Sequence, residues 1–288
     1  MTKVQIYTIT GTKSKELDLP KQFNEPVRRD LIKKAVLAIQ NNTRQSYGAY
    51  PKAGQRSSSA LSRRRRDFRS SYGIGISRVP RKALWRRGTR FGFVGAMAPN
   101  TRGGRQAHAP KGYKDYSHNM NIKERRKAIR SALSATIHPE FVKARGHRFK
   151  ELINVVEDKF ETFTKTKEVK DALIKLGLEK ELERLTVKKV RAGKGKARGR
   201  KYNVKTGPLL VVSKSCSLQK SAINLPGVDI CTVKNINTEL LAPGTNPGRL
   251  TIFTQSAIET MAKESLFMNG SKKWQYYNIR YQQRKQLS

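Results

Sequence analysis

The residues best suited to chemistry are arginines concentrated between Pro51 and Gly112. This segment contains 16 Lys and Arg and a single acid, Asp67. A guanidinium group can donate two hydrogen bonds to one phosphate and can also stack on a base. These two contacts suit irregular RNA better than duplex DNA. The candidate RNA-binding residues here are Arg56, Arg63, Arg64, Arg65, Arg66, Arg69, Arg78, Arg81, Lys82, Arg86, Arg87, Arg90, Arg102, Arg105, His108 and Lys111. We therefore predict that this segment binds structured RNA.

Aromatic residues are interleaved with these cations at Tyr72, Trp85, Phe91 and Phe93. Two roles are open for them: they stack on unpaired bases, or they pack against one another and against sugar edges. The sequence favours neither role. His108 is interpreted as a hydrogen-bonding or stacking residue, because no second metal ligand lies at a suitable spacing. We expect no metal ion and no cofactor.

A second basic patch lies in residues 190–206, the second basic loop. Its candidate RNA-binding residues are Arg191, Lys194, Lys196, Arg198, Arg200 and Lys201. Glycines at 193, 195 and 199 allow backbone amides to approach phosphate oxygens. The alternative is an exposed loop that is basic without function. Like charges this dense would destabilise a loop that bound nothing, so phosphate binding is favoured.

A basic helix is predicted after the long loop. Asn121 and Glu124 have the spacing of a capping box, which predicts the helix start. The cations that follow are Lys123, Arg125, Arg126, Lys127 and Arg130. A basic helix face is usually just solvated, but here only Glu124 offsets five cations. We therefore predict that the helix faces phosphates, with Arg125, Arg126 and Arg130 as contacts.

Signals for catalysis are weak, and we predict no catalytic residue. The run Gly73-Ile74-Gly75 begins a dinucleotide fingerprint, but Arg78 stands where the third glycine is needed and no strand precedes it. Cys216 and Cys231 fit neither a disulfide framework nor a metal pair. Two alternative functions are a nucleotide-dependent enzyme with an RNA-binding insertion and a packaging protein that coats DNA. This sequence lacks the phosphate-binding turn that such an enzyme needs. A packaging protein would carry its charge in tails, whereas here the charge lies in loops closed by a folded domain.

The sequence on either side of the basic loops predicts an α/β domain. The 288 residues carry a formal charge of +40, and the longest apolar run, residues 208–212, is too short to span a membrane. We expect no membrane partner and, from residues 1–6, no secretory signal. Strands are predicted at 3–9, 153–156, 207–212, 228–233 and 250–253, and helices at 31–39, after 121, at 166–178, at 179–189 and from 256. The predicted fold is α/β: a mostly parallel sheet with helices on both faces, plus a long extended basic internal loop.

The predicted organisation has one discontinuous body and three further segments. Residues 1–44 and 113–268 form the α/β body, and residues 45–112 form an extended loop that penetrates RNA. Residues 190–206 form the second basic loop, and residues 269–288 form a C-terminal tail. The long loop has no apolar period of 2 or 3.6, so we expect it to lack regular structure unless a polyanion orders it.

Several motifs resemble one protein family. They are residues 103–111 (GGRQAHAPK), 123–132 (KERRKAIRSA), 145–146 (RG), 191–202 (RAGKGKARGRKY), 240–245 (LLAPGT) and 247–252 (PGRLTI). Together they are similar to the universal large-subunit ribosomal protein L-four family, in its archaeal and eukaryotic branch. The four-arginine run and residues 82–95 depart from the family pattern.

The resemblance implies a structural protein of the large ribosomal subunit that binds its rRNA and supports assembly. Its partners would be rRNA, neighbouring ribosomal proteins and the nascent polypeptide, because in that family the long loop reaches the peptide exit tunnel. The implied location is cytoplasmic ribosomes, with nucleolar assembly in a eukaryote. The candidate tunnel-lining residues are Tyr72, Gly73, Ile74, Gly75, Ile76 and Arg78.

We predict a steep salt dependence of RNA binding. If about ten cations meet phosphates, a plot of log K against log salt concentration has a slope of about −7 to −9, because counterions are released on binding. Filter binding to large-subunit rRNA over a series of KCl concentrations measures this slope. A slope near zero contradicts binding through the basic loops.

Overall fold

The computed structural model describes residues 3–59, 61–88 and 90–269, and groups the chain into two units. The body comprises residues 3–42 and 118–269 of the described chain, and the insertion is Thr43–Ser117. Apart from residue 269, the predicted C-terminal tail lies outside the described residues.

The body strands and the helices alternate along the chain as predicted. In order, the elements of both units are β1 (Lys3–Tyr7), β2 (Lys13–Asp18), α1 (Arg29–Asn42), β3 (Arg81–Arg87), β4 (Arg90–Gly95), α2 (Ile122–Ile137), α3 (Pro139–Ala144), β5 (Val155–Val156), α4 (Thr166–Lys175), α5 (Glu179–Thr186), β6 (Lys189–Val190), β7 (Tyr202–Asn203), β8 (Leu209–Val212), α6 (Leu218–Ala222), β9 (Asp229–Thr232), α7 (Thr238–Leu241), β10 (Thr251–Thr254) and α8 (Gln255–Lys263). Helix α5 ends three residues before the predicted boundary, because the chain turns extended at Val187.

A six-stranded sheet in the order β2-β1-β5-β10-β8-β9 forms the centre of the body. All neighbours pair in parallel except β2, which pairs antiparallel with β1 at the edge. The predicted mostly parallel α/β sheet is confirmed. Strand β2 was missed because its sequence, KSKELD, is charged and mostly exposed. Charges of this kind protect an edge strand against further pairing, and they leave no apolar pattern to detect.

Helices cover both faces of the sheet. This explains why the sequence of strand β8 is apolar throughout. Leu209 and Val211 face a core shared with α1, α2 and α8, whereas Leu210 and Val212 face a core shared with α4, α5 and α6. Successive side chains of a strand point to opposite faces, so a strand buried on both sides must be apolar at each position. All four are fully buried.

The start of helix α2 differs from the prediction. Asn121 precedes the helix in extended conformation, but its side chain makes no capping hydrogen bond. Glu124 instead accepts a hydrogen bond from Lys34 Nζ of α1, at 2.8 Å. The predicted capping box is therefore wrong, because the carboxylate is used in a contact between helices.

Two arginines, Arg249 (buried) and Arg145 (half-buried), hold the body loops together. Arg249 is 1% exposed, and its guanidinium donates to the carbonyl of Gly207 (2.8 Å), to that of Leu240 (3.0 Å) and to the carboxylate of Asp229 (2.5 Å). Arg145 donates to the carbonyls of two further residues, Asn246 and Pro243, both at 2.6 Å. Burial, with the nearby charges of Arg249 and Arg184, lowers the pKa of Arg145 to about 10. The motifs at 145–146 and 240–252 are thus structural.

A buried carboxylate, Glu181, joins α5 to the segment before β5. It accepts hydrogen bonds from His147 Nδ1 (2.6 Å), from the backbone N–H of Arg148 (2.9 Å) and from Arg184 (2.6 and 2.9 Å). Arg184 also donates to the carbonyl of Thr206, at 2.8 Å. Burial acts to raise the pKa of Glu181, but the hydrogen bonds outweigh it and lower the pKa to about 2.

The insertion contains regular structure that we did not expect. Strands β3 and β4 form an antiparallel hairpin in which Ala83 pairs with Phe93 and Arg86 with Phe91. The expectation that the long loop lacks regular structure is therefore wrong for this hairpin. The sequence gives no strand signal here because Ala83, Leu84 and Trp85 are consecutive apolar residues, all of them exposed.

Replacing Glu181 tests the buried cluster. We expect Glu181→Gln to lower the free energy of unfolding by roughly 3–5 kcal/mol at pH 7, because it leaves buried donors without their charged partner. The folded-state pKa lies below the ordinary 4.5. Its contribution is therefore complete above pH 4.5 and is lost as the pH falls towards about 2. Urea unfolding of both proteins between pH 2 and 7 should show their difference shrinking below pH 4.5. A difference independent of pH would contradict this.

Candidate nucleic-acid interface

The insertion begins and ends in a narrow neck. Ala49 N–H donates to the carbonyl of Pro110 at 2.8 Å. The two chains lie so close that a Cβ on Gly48 would be 2.2 Å from the backbone nitrogen of Gly112. Below them the rings of Tyr47 and Tyr116 are stacked with centroids 5.4 Å apart, and the guanidinium of Arg44 lies 4.4 Å from the Tyr116 centroid. The neck therefore holds the ends of the insertion together without an aliphatic core.

The four-arginine run lies on an exposed turn organised by Asp67. The carboxylate accepts hydrogen bonds from Ser62 Oγ (2.5 Å) and from the N–H of Phe68 (2.7 Å). These bonds, the first being the larger cause, lower the pKa of Asp67. Ser70 Oγ donates to the carbonyl of Arg64 at 2.6 Å and closes the turn. The one acid of the segment thus folds the backbone, while the side chains of Arg63–66 remain exposed.

The hairpin carries an aromatic cluster held between arginines. Phe68 meets Phe91 edge to face at 5.1 Å, and Phe91 stacks on Phe93 at 5.3 Å. The guanidinium groups of Arg69 and Arg86 lie 5.3 and 5.0 Å from the Phe68 centroid. Cation–π contacts of this kind let cations approach one another around a shared ring. Of the two roles left open for the aromatic residues, packing applies to Phe91 and Phe93.

Trp85 and Tyr72 differ from these phenylalanines because their rings are exposed. Trp85 is 57% exposed and lies across Gly92 of the paired strand, where a Cβ would be 2.1 Å from its Nε1. Tyr72 is 37% exposed and has the guanidinium of Arg78 4.5 Å from its centroid. Both rings therefore remain available for stacking.

The second basic loop is built on the short pair β6–β7. Arg191 N–H donates to the carbonyl of Lys201 at 2.7 Å, and Arg200 N–H to that of Gly195 at 3.1 Å. Gly193 and Gly199 have φ of 76° and 78°, a conformation that glycine adopts without strain. All six predicted cations of this loop are exposed.

Most of the predicted RNA-binding residues are on the surface. Besides the second-loop cations, the exposed ones are Arg56, Arg63, Arg64, Arg65, Arg66, Arg78, Arg86, Arg87, Arg90, Arg102, Arg105, His108, Lys111 and Arg125. Arg69, Arg81 and Lys82 are half-buried. Among the candidate tunnel residues, Ile76 is half-buried and the other five are exposed.

Arg126 and Arg130 differ from the prediction because they point into the body. Arg130 donates to Glu25 (2.9 Å) and to the carbonyl of Phe267 (2.8 Å), and Arg126 donates to the carbonyl of Met268 (3.1 Å). Their spacing of four residues places them on one helical face. That face packs inside the protein, so we withdraw these two residues from the proposed interface and retain Arg125.

The carboxyl ends of the parallel strands, where an enzyme of this class binds its ligand, are occupied by internal hydrogen bonds. Glu161 accepts from the N–H of Ser213 (3.0 Å) and from Thr254 Oγ1 (2.7 Å), and Asp158 accepts from the N–H of Ser256 (2.7 Å). Burial raises the pKa of Cys216 and raises that of Cys231 to about 12, which disfavours the thiolate form of both.

The described part of the chain contains neither a group of side chains suited to a metal ion nor a helix that could span a membrane. Among residues 3–59, 61–88 and 90–269, no three His, Cys, Asp or Glu side chains are grouped so as to hold a metal ion. Within the same ranges, no helix has both the length and the apolar character that crossing a membrane requires.

Comparison with known proteins gives consistent matches over almost the whole chain. A family model described as the ribosomal protein L4/L1 family matches residues 17–264. The large ribosomal subunit protein uL4 of Nanoarchaeum equitans is 49% identical over 266 residues, which cover 92% of this chain and 99% of that protein. The uL4 proteins of Methanococcoides burtonii and Archaeoglobus fulgidus are 44% and 41% identical, over 93% and 91% of this chain and 100% and 98% of their own lengths.

Neutralising the four-arginine turn tests the interface. We expect replacement of Arg63, Arg64, Arg65 and Arg66 by Ala to reduce the magnitude of the salt slope for RNA binding by about 3, because four phosphate contacts are lost. The matched control replaces Lys165, Lys167, Lys170 and Lys175, which are exposed on the body around α4, and removes the same charge. Equal effects of the two variants would show that net charge alone governs binding.

Proposed function

The chain belongs to the ribosomal protein L4/L1 family, and from this premise we propose that it is a structural, non-catalytic constituent of the large ribosomal subunit in the cytoplasm. The observation that carries the proposal is the pair of exposed, nearly acid-free loops held at both ends by folded structure. In this function the loops bind large-subunit rRNA and the body contacts neighbouring ribosomal proteins. The large positive charge of the chain favours a polyanionic partner such as RNA.

The two loops offer RNA different chemistry. The insertion presents mainly guanidinium groups, which make bidentate contacts with phosphates and stack on bases. The second basic loop adds lysines and glycines, so that ammonium groups and backbone amides approach the phosphate backbone together. Binding at two sites of one chain raises the effective concentration of the second contact once the first has formed. This arrangement supports a role in assembly of the subunit.

We propose that the end of the insertion lies at the peptide exit tunnel of the ribosome, as the resemblance to the family implies. A loop of about sixty residues, thirty in each direction, reaches at most about 100 Å at ~3.3 Å per residue. Tyr72, Gly73, Ile74, Gly75, Ile76 and Arg78 are the candidates proposed from the sequence. The β3–β4 hairpin adds a second candidate for the tip, because the chain reverses at Gly88, where φ is 58°. Leu84 and Trp85, which are 62% and 57% exposed, lie close to that reversal.

Shortening the hairpin tests the proposed tunnel role. Residues 84–92 can be replaced by Asn-Gly, a two-residue turn that suits an antiparallel hairpin. The pair Ala83–Phe93 and the pairs before it are retained. We expect this variant to enter large subunits at nearly the normal level while nascent-chain stalling or macrolide sensitivity changes. Sucrose-gradient sedimentation and a stalling assay measure the two effects.

The matched variant shortens the second basic loop by replacing residues 193–199 with Gly-Gly. It should weaken rRNA binding without a tunnel phenotype. If the hairpin variant fails to enter subunits and shows no tunnel phenotype, the hairpin anchors the protein during assembly instead.

A further inference from the structure

We propose that the insertion contains a cleft that captures an unpaired nucleotide of the bound RNA, an inference that rests on the proposed function. The cleft lies between the four-arginine turn and the β3–β4 hairpin and has a volume of about 1170 Å³. Sites for small ligands usually measure about 300–1,000 Å³. The cleft is therefore large enough for a base together with its sugar and phosphate.

The lining of the cleft combines the two groups that a nucleotide requires. Six arginines and five aromatic residues contribute to it. Three of the arginines are already engaged: Arg69 and Arg86 lie against Phe68, and Arg81 donates to the Ser77 carbonyl and hydroxyl. The other three, Arg65, Arg66 and Arg90, are exposed. These three provide guanidinium groups for a phosphate at the rim.

The stacking surface is provided by Trp85. Phe91 and Phe93 are stacked on each other, whereas Trp85 lines the cleft and is 57% exposed. Its position depends on the residue opposite, since any side chain larger than that of Gly92 would displace the indole. Pairing of the strands fixes the backbone of Trp85 before a ligand arrives, which lowers the entropic cost of stacking. Tyr72 is a second exposed ring in the lining.

A nucleotide fits this combination better than an acidic peptide does. A peptide carboxylate would pair with the rim arginines but leave the flat aromatic surfaces without a partner. A base stacks on an aromatic face while its phosphate binds guanidinium, so one ligand satisfies both groups. Stacking is tolerant of base identity, because every base has a π face. The cleft therefore selects an unstacked nucleotide of any sequence.

The experiment uses the full-length chain, with hexa-adenylate as the probe and an abasic hexamer of equal phosphate number as the comparison. The chain has two tryptophans, so Trp274→Phe leaves Trp85 as the only reporter. We expect hexa-adenylate to quench Trp85 emission and the abasic hexamer to leave it unchanged. By fluorescence anisotropy, Trp85→Ala should weaken hexa-adenylate binding about 5- to 150-fold, the range that loss of base stacking produces. It should leave binding of the abasic hexamer unchanged.

Three further variants separate stacking from disruption of the hairpin. Leu84→Ala is the matched control, because Leu84 is exposed on the same strand and does not line the cleft; it should bind hexa-adenylate like the parent. Trp85→Phe retains a ring and should restore most of the lost affinity. Gly92→Ala keeps the tryptophan but displaces it, and should weaken binding as Trp85→Ala does.

The results that would overturn the nucleotide cleft differ from those that would overturn rRNA binding. Equal quenching by the abasic hexamer, or no loss of affinity in Trp85→Ala, overturns the nucleotide cleft. Equal quenching by hexaglutamate assigns the cleft to acidic peptides and also overturns it. The proposed function is judged separately, by salt-dependent binding of large-subunit rRNA to Leu84→Ala and Trp85→Ala. If both bind rRNA but Trp85→Ala is normal with hexa-adenylate, the cleft is wrong and rRNA binding stands.

Discussion

Excess positive charge is the constraint that shapes every part of this protein, which has 61 Lys and Arg but only 21 Asp and Glu. The acids are too few to neutralise the cations pairwise, and three of them make contacts on which the fold depends. Glu181 accepts four hydrogen bonds inside the body, and Asp229 pairs with the fully buried Arg249. In the insertion, Asp67 closes a backbone turn. While the fold uses these acids, the side chains of Arg63–66 remain exposed on the surface.

In the body, hydrogen bonds to backbone carbonyls stabilise the least exposed arginines. Arg145 and Arg249 together bind four carbonyl oxygens. Carbonyl dipoles stabilise a buried guanidinium without requiring another carboxylate, and three of the four bonds join segments far apart in the sequence. Arginines also hold the residues where the second basic loop ends, since Arg184 binds the carbonyl of Thr206 and Arg249 that of Gly207. The second basic loop therefore leaves the body from a fixed point.

In the insertion, aromatic rings reduce the repulsion between neighbouring arginines. It has little aliphatic core, yet its arginines lie close to one another around Phe68 and Phe91. The negative face of each ring offsets part of the repulsion between the guanidinium groups. A partly ordered insertion loses less conformational entropy when RNA binds than a wholly unfolded one would. The same rings that reduce repulsion in the free protein also form the cleft in which we propose that a base stacks.

The sequence alone determined the α/β class, the order of most body elements and the location of both basic loops, because hydrophobic periodicity and charge density are local properties. Tertiary structure decided which cations face outward. Arg125 and Arg126 are neighbours on one helix, yet the first is exposed and the second is buried against the carbonyl of Met268, more than a hundred residues away. The same holds for Trp85, whose exposed position depends on its cross-strand partner Gly92. A side chain's direction relative to distant segments depends on packing, which no local pattern records.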